Sequence, residues 1–115
     1  MALAHPFSDD LIELIADRFW VLSEPTRIKL LDRLRDGEAS VGELTAAVGT
    51  SEQNLSKHLG VLHRAGFVAR RKQGTFAYYS IADQTVSLLC ETVCGSLQQQ
   101  LESLRDLVAG ARELS

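Results

Sequence analysis

Between Gln53 and Ala82 the chain carries five basic side chains, Lys57, Arg64, Arg70, Arg71 and Lys72, two histidines, His58 and His63, and no acid at all. Ser51, Gln53, Asn54 and Ser56 stand among the first of these, and Gly74 and Thr75 follow the last. This is the side-chain set that contacts duplex DNA. Gln and Asn pair bidentately with adenine, Ser and Thr donate to bases or phosphate, and Lys and Arg neutralise the backbone or bind guanine. The only other residues with distinctive chemistry are Cys90 and Cys94, four apart.

The whole chain gives the opposite impression. Its 115 residues hold 12 Lys+Arg against 15 Asp+Glu, a formal charge of −3, which taken globally argues against an acidic partner. Yet a partner senses mainly nearby charge, because screening sets in beyond a Debye length of about 8 Å. The basic window is therefore a local electropositive face within an otherwise acidic protein. Its length and composition are those of one globular domain, residues 1–115. No apolar run approaches the ~18 residues of a membrane span. The start, MALAHPFSDD, lacks the basic and apolar segments of a secretory signal, so the sequence predicts a cytoplasmic chain with no membrane partner. Two cysteines so close together are not a secreted disulfide framework. Nothing resembles a nucleophile with its base and orienting group, or a phosphate loop, and no enzymatic activity is expected.

These residues need a frame. Ser8 can cap a first helix bearing Leu11, Ile12, Ile15, Phe19 and Leu22. Pro25 suits the first position of a second, with Ile28, Leu30, Leu31 and Leu34 apolar and Gly37 beyond its end. Ser40 and Glu43 form a capping box for a short third helix (Val41, Leu44, Ala47, Val48) closed by Gly49; Thr50 and Gln53 form another for a fourth with Leu55, Leu59 and Leu62 on one face. Two short helices across a tight glycine turn, residues 40–66, outline a helix-turn-helix. Facing Leu55, Leu59 and Leu62 inward turns Gln53, Asn54, Ser56, Lys57 and Arg64 outward. Gly60 leaves room for another helix. Glu52 dissents, since a carboxylate near phosphate is unfavourable unless it accepts from cytosine.

Phe67–Lys72 and Phe76–Ile81 are β-prone runs joined at Gln73-Gly74-Thr75, a hairpin wing over residues 67–82 with Arg70, Arg71 and Lys72 near its tip. From Asp83 a helical pattern continues to about residue 109 through Val86, Leu89, Val93, Leu97, Leu101, Leu104 and Val108. Such a seam requires cover, and the first helix (residues 8–22) with its counterpart in a second subunit would supply it. The expected fold is a winged helix-turn-helix, mainly α with a small β-hairpin wing, in the order of four helices, the two wing strands and a fifth helix, dimerising through the first and last helices.

From Leu22 to Ile81 the chain resembles the ArsR/SmtB family of winged helix-turn-helix repressors. The resemblance is carried by Glu24-Pro25-Thr26-Arg27, Val41-Gly42-Glu43-Leu44, Leu55-Ser56-Lys57-His58-Leu59, Leu62-His63-Arg64-Ala65-Gly66-Phe67-Val68 and Tyr78-Tyr79-Ser80-Ile81. It implies a homodimer on an imperfect palindromic DNA operator, an autoregulatory repressor released by an effector. It places Ser56 and His58 in the recognition helix, His58 being close enough to the inward face to pack instead of touching DNA. His63 fits a structural or helix-dipole role. The metalloid-sensor thiolate pair of the family would fall on Ser40 and Gly42, and the last-helix zinc or nickel site on Asp83, Thr85, Ser96 and Gln99. Only Asp83 is a suitable ligand, and it is explained as a helix cap, so both sites are rejected.

Cys90 and Cys94 fall on one face of the last helix, Cα atoms about 6 Å apart. Three roles stand open: packing as small apolar residues, a soft-ion site for a thiophilic metal or metalloid completed by dimer symmetry, or an oxidisable pair. His5 could add a ligand. No cofactor is required in any of them. The alternatives to an effector-released repressor are a DNA-binding regulator without a metal site and a winged-helix module that binds protein.

Overall fold

The computed structural model of the protein describes residues 5–114. It divides into two compact units, one ending at Asp83 and one beginning at Gln84. The first holds α1 (Asp9–Val21), α2 (Pro25–Leu34), β1 (Ala39–Ser40), α3 (Val41–Val48), α4 (Glu52–Arg64), β2 (Val68–Gln73) and β3 (Phe76–Ile81); the second is α5 (Gln84–Leu114). The mainly helical class and the wing are as the sequence predicts. The sheet, however, has three strands in the order β1-β3-β2.

Caps set the helix starts. The Ser8 hydroxyl accepts from the Leu11 amide at 3.2 Å. Pro25 stands at the start of α2, where Glu24 caps by accepting from the Thr26 amide. Ser40 and Glu43 make the reciprocal box: the Ser40 hydroxyl accepts from the Glu43 amide at 3.2 Å, and the Glu43 carboxylate from the Ser40 amide at 3.3 Å. A cap residue must be extended, and Ser40 is, at φ −77°, ψ 162°. That same conformation lets it pair with Tyr78 while Ala39 pairs with Tyr79. The extra strand thus comes with the cap; at two residues it is too short for alternation to reveal.

The fourth helix departs from expectation by one residue. Ser51, not Thr50, is its cap and accepts from the Asn54 amide at 3.2 Å. The Thr50 hydroxyl instead accepts from Asn54 Nδ2 at 2.9 Å. Both hydroxyls are used, but the box with Gln53 does not form. Gly49 ends α3 at φ 75°, a left-handed conformation that costs any other residue about 1 kcal/mol or more. It turns the chain into α4 within two residues.

Leu30, Leu44, Leu55, Leu59 and Leu62 are fully buried and make the centre of the core, joined by Leu31, Leu34, Phe67 and Val68. Each contributes about 1.5–3 kcal/mol through removal of its apolar surface from water. In this core α2 packs on α3, α4 and β3, and α4 on β2. The expected apolar face of α2 needs correcting: Ile28 is 42% exposed, and Arg27 is buried in its place. Positions 27, 31 and 34 share a face at the helical period, so the stripe simply starts on a guanidinium.

β2 and β3 run antiparallel from Val68↔Ile81 to Gln73↔Phe76, closed by Gly74 and Thr75 with Gly74 at φ 62°. Helix α5 spans 31 residues, about 46 Å at the helical rise. It passes residue 109 although Gly110 costs about 1 kcal/mol, because Ala111, Arg112, Glu113 and Leu114 beyond it are favourable helix formers. Along it Val93, Leu97, Leu101, Leu104 and Val108 are exposed, and on α1 so are Ile12, Phe19 and Trp20. Among the described residues, no helix is long and apolar enough to cross a membrane.

Candidate nucleic-acid interface

Helix α4 presents two chemically distinct sides. Leu55, Leu59 and Leu62 anchor it to the core, while Ser51, Gln53, Ser56, Lys57 and Arg64 are exposed on the outside. Glu52 is exposed in the first turn, where the helix dipole favours an anion. His63 and Arg64 occupy the last turn, where it favours cations. Asn54 is half-buried, its amide turned back to Thr50. Among the described residues no second helix comes within 4 Å of a Cβ at Gly60. A Cβ there would meet the Arg64 guanidinium at 3.3 Å, so the glycine makes room for its own helix's side chain one turn on.

His58 lies inward and is only 7% exposed. Its Nδ1 is 3.1 Å from Arg27 Nη1. A guanidinium has no acceptor, so it donates, and the imidazole carries its proton on Nε2. Burial, followed by the neighbouring charge of Arg27, holds His58 below the ordinary imidazole range. The packing alternative describes this residue's position. Arg27 also donates to the carbonyls of Val21 at 2.5 Å and Trp20 at 3.2 Å, and lies 5.0 Å above the Trp20 ring. A second arginine ties the same helices: Arg18 of α1 donates to the carbonyl of Ala65, the C-cap of α4, at 3.0 Å and covers the Phe67 ring. Neither arginine is marked for these contacts by residue pattern alone. The signal for Arg27 was its place on the apolar stripe of α2.

Strand alternation divides the basic wing. Arg70 and Lys72 share the face of Val68, and Arg71 takes the other. All three are exposed, as are Gly74 and Thr75. Arg71 is engaged: two of its nitrogens donate to Glu38 at 2.6 and 3.2 Å, a third donates to Gln73 at 2.8 Å, and the guanidinium lies over Tyr78 at 4.7 Å. The hydrogen bonds from Arg71 hold the Glu38 carboxyl below the usual carboxylate range, and the pairing raises Arg71 in turn. Glu38 precedes β1, so the pair staples the wing to the segment that opens the helix-turn-helix.

On α5, Cys90 is half-buried and Cys94 exposed. His5 is exposed with its ring edge-on to Phe7. Among the described residues no three His, Cys, Asp or Glu side chains gather as a metal site.

Comparison with known proteins fits this arrangement. A helix-turn-helix domain family model matches residues 22–71. The chain is 40% identical over 108 residues to the uncharacterized HTH-type transcriptional regulator Rv0081 of Mycobacterium tuberculosis, covering 90% of this chain and 95% of that protein. The crystal structure of Rv0081 superposes with a TM-score of 0.76 over 84% of this chain and 97% of that one. The homodimeric winged helix-turn-helix DNA-binding domain Mb0332 from Mycobacterium bovis, described as "a possible ArsR-family transcriptional regulator", is 30% identical with a TM-score of 0.73, covering 86% of this chain and 94% of its own. A transcriptional repressor SmtB homolog of Synechocystis is 34% identical over 90 residues, 78% of this chain and 68% of that protein. By these likenesses and by its fold, the chain belongs to the ArsR/SmtB family of winged helix-turn-helix transcriptional regulators.

Proposed function

We propose that this regulator is a homodimeric, autoregulatory repressor that binds an imperfect palindromic operator, inserting α4 in the major groove and laying the wing along the flanking backbone. The observation that carries the reading is the exposed side of α4, with Gln53, Ser56 and Lys57 at its front and Arg64 at its end, set on a fully buried leucine face. Gln53 and Ser56 would meet base edges, with Ser51 and Asn54 shaping the entry turn. Lys57, Arg64, Arg70 and Lys72 would neutralise phosphates, and Gly74 and Thr75 would bring the wing tip close. Arg71, bound to Glu38, would hold the wing.

A second copy would cover the exposed apolar residues of α1 and α5; stripes of this extent are otherwise rare on soluble chains. The homodimeric state of Mb0332 supports this. The effector would act at Cys90 and Cys94, as a thiophilic metal, a metalloid or an oxidant. A soft ion there needs ligands beyond this pair, from the partner copy or from solvent.

The test is titration of labelled DNA from the chain's own promoter at several salt concentrations. Binding much tighter than to random DNA, and weakening steeply with salt, is expected; equal affinity for random DNA overturns the reading. For the effector, Cys90→Ser and Cys94→Ser should leave DNA affinity intact and abolish release by a thiophilic ion or oxidant. Release unchanged in both variants returns the pair to packing.

A further inference from the structure

Arg27 lies behind the exposed side of α4, against the buried His58. A buried cation needs several partners to offset its lost hydration, and the partners of Arg27 are distributed in an informative way. Two are the carbonyls of Trp20 and Val21, at the carboxyl end of α1, and the third is His58, in the middle of α4. The planar guanidinium donates in both directions at once from fixed angles, and Arg27 itself is clamped in the first turn of α2. Arg18 adds a second tie, from α1 to the C-cap of α4. His58 sits next to Lys57 and two residues from Ser56, so a shift of its ring moves the exposed side of the helix. Trp20, whose carbonyl and ring both meet Arg27, is itself 60% exposed on the outer face of α1.

We propose that Arg27 is a positioning residue that couples the carboxyl end of α1 to the DNA-reading side of α4 through His58, so that whatever rests on α1 sets how the recognition helix is presented. This rests on the reading of α4 as the DNA-contacting helix. The link works while His58 is neutral with Nδ1 free to accept. Arg27 and Lys57 oppose its protonation and Glu24 favours it, and burial decides for the neutral ring.

Two substitutions separate the hydrogen bond from mere packing. In His58→Asn the side-chain oxygen can take the place of Nδ1 as acceptor; in His58→Leu the volume is filled but Arg27 loses its partner. With operator DNA from the chain's own promoter, His58→Leu should weaken binding on the order of tenfold, with the salt slope unchanged because no phosphate contact is lost. Arg27→Lys, whose point charge cannot span the three acceptors, should do the same, and His58→Asn should stay within about threefold of the natural chain. Trp20 is the sole tryptophan, so its emission reports on the α1 end directly. It should change when DNA is added to the natural chain and to His58→Asn, and not when DNA binds His58→Leu.

Equal affinity in His58→Leu and the natural chain, equal losses in His58→Leu and His58→Asn, or an emission change that persists in His58→Leu each overturn the coupling. Should His58→Leu fail to fold, the ring tautomer decides: a long-range proton–nitrogen spectrum of the natural chain must show His58 protonated on Nε2 at neutral pH, and protonation on Nδ1 overturns the link. A natural chain that binds no operator overturns instead the reading of α4 on which the coupling is built.

Discussion

Neutralising the three wing cations one at a time should give unequal results, and the inequality can be calculated. Arg70 and Lys72 lie on one face of β2, while Arg71 on the other is held by Glu38 at 2.6 and 3.2 Å and stacked on Tyr78. A phosphate can recruit Arg71 only by breaking that pair. In the proposed complex Lys57, Arg64, Arg70 and Lys72 would then give about eight phosphate contacts per dimer, each contributing about 0.9 to the slope of log affinity against log salt, for a total near −7. Between 50 and 200 mM salt such a slope weakens binding by about four decades. Arg70→Ala removes one contact per subunit and should flatten the slope to about −5. Arg71→Ala should leave it near −7 while lowering affinity at every salt concentration by a similar factor, because it loosens the wing without removing a phosphate contact. Fluorescence anisotropy of a labelled operator over that salt range measures both effects. Equal flattening by Arg71→Ala and Arg70→Ala would refute the division of the wing into a contacting and a holding face.

Other outcomes follow from the core and caps. His58 is held below its ordinary range, so the unfolded chain takes up the proton first: its contribution is full above the ordinary imidazole value and is lost as pH falls below it and through the folded value. The urea midpoint should therefore drop between pH 7.5 and 5.5, and drop less in His58→Asn. Leu59→Ala empties a fully buried site and should cost about 2–5 kcal/mol by chemical denaturation. Gly60→Ala should instead stabilise by up to about 1 kcal/mol, since helix propensity improves and its near neighbour among the described residues is the flexible end of Arg64; a lowered melting temperature would contradict this.

Local chemistry was legible from the sequence wherever a single residue type decides it. Ser8, Pro25, the Ser40–Glu43 box and Gly49 announce helix ends by their own conformational preferences, and the leucine spacing of α4 gives its two sides. What was not legible depends on partners distant in the chain. Arg27 looks like one more surface cation until Trp20, Val21 and His58 converge on it, and Arg71 looks like a phosphate ligand until Glu38, 33 residues away, takes it. A charge count finds a basic window but cannot say which of its members are already occupied.

Ser40 belongs to two structures at once, as the cap of α3 and as the end of β1 against Tyr78. The head of the helix-turn-helix and the root of the wing therefore share a residue, and they cannot be exchanged between proteins as independent parts. A graft of helices alone would strip β3 of β1, one of its two neighbours, and a residue inserted at 38–41 would rotate one part against the other. Length variation should instead be tolerated at Gly74–Thr75, where the hairpin has no third strand to disturb. A designer seeking a different flanking contact, or a lineage drifting toward one, has that tip to work with.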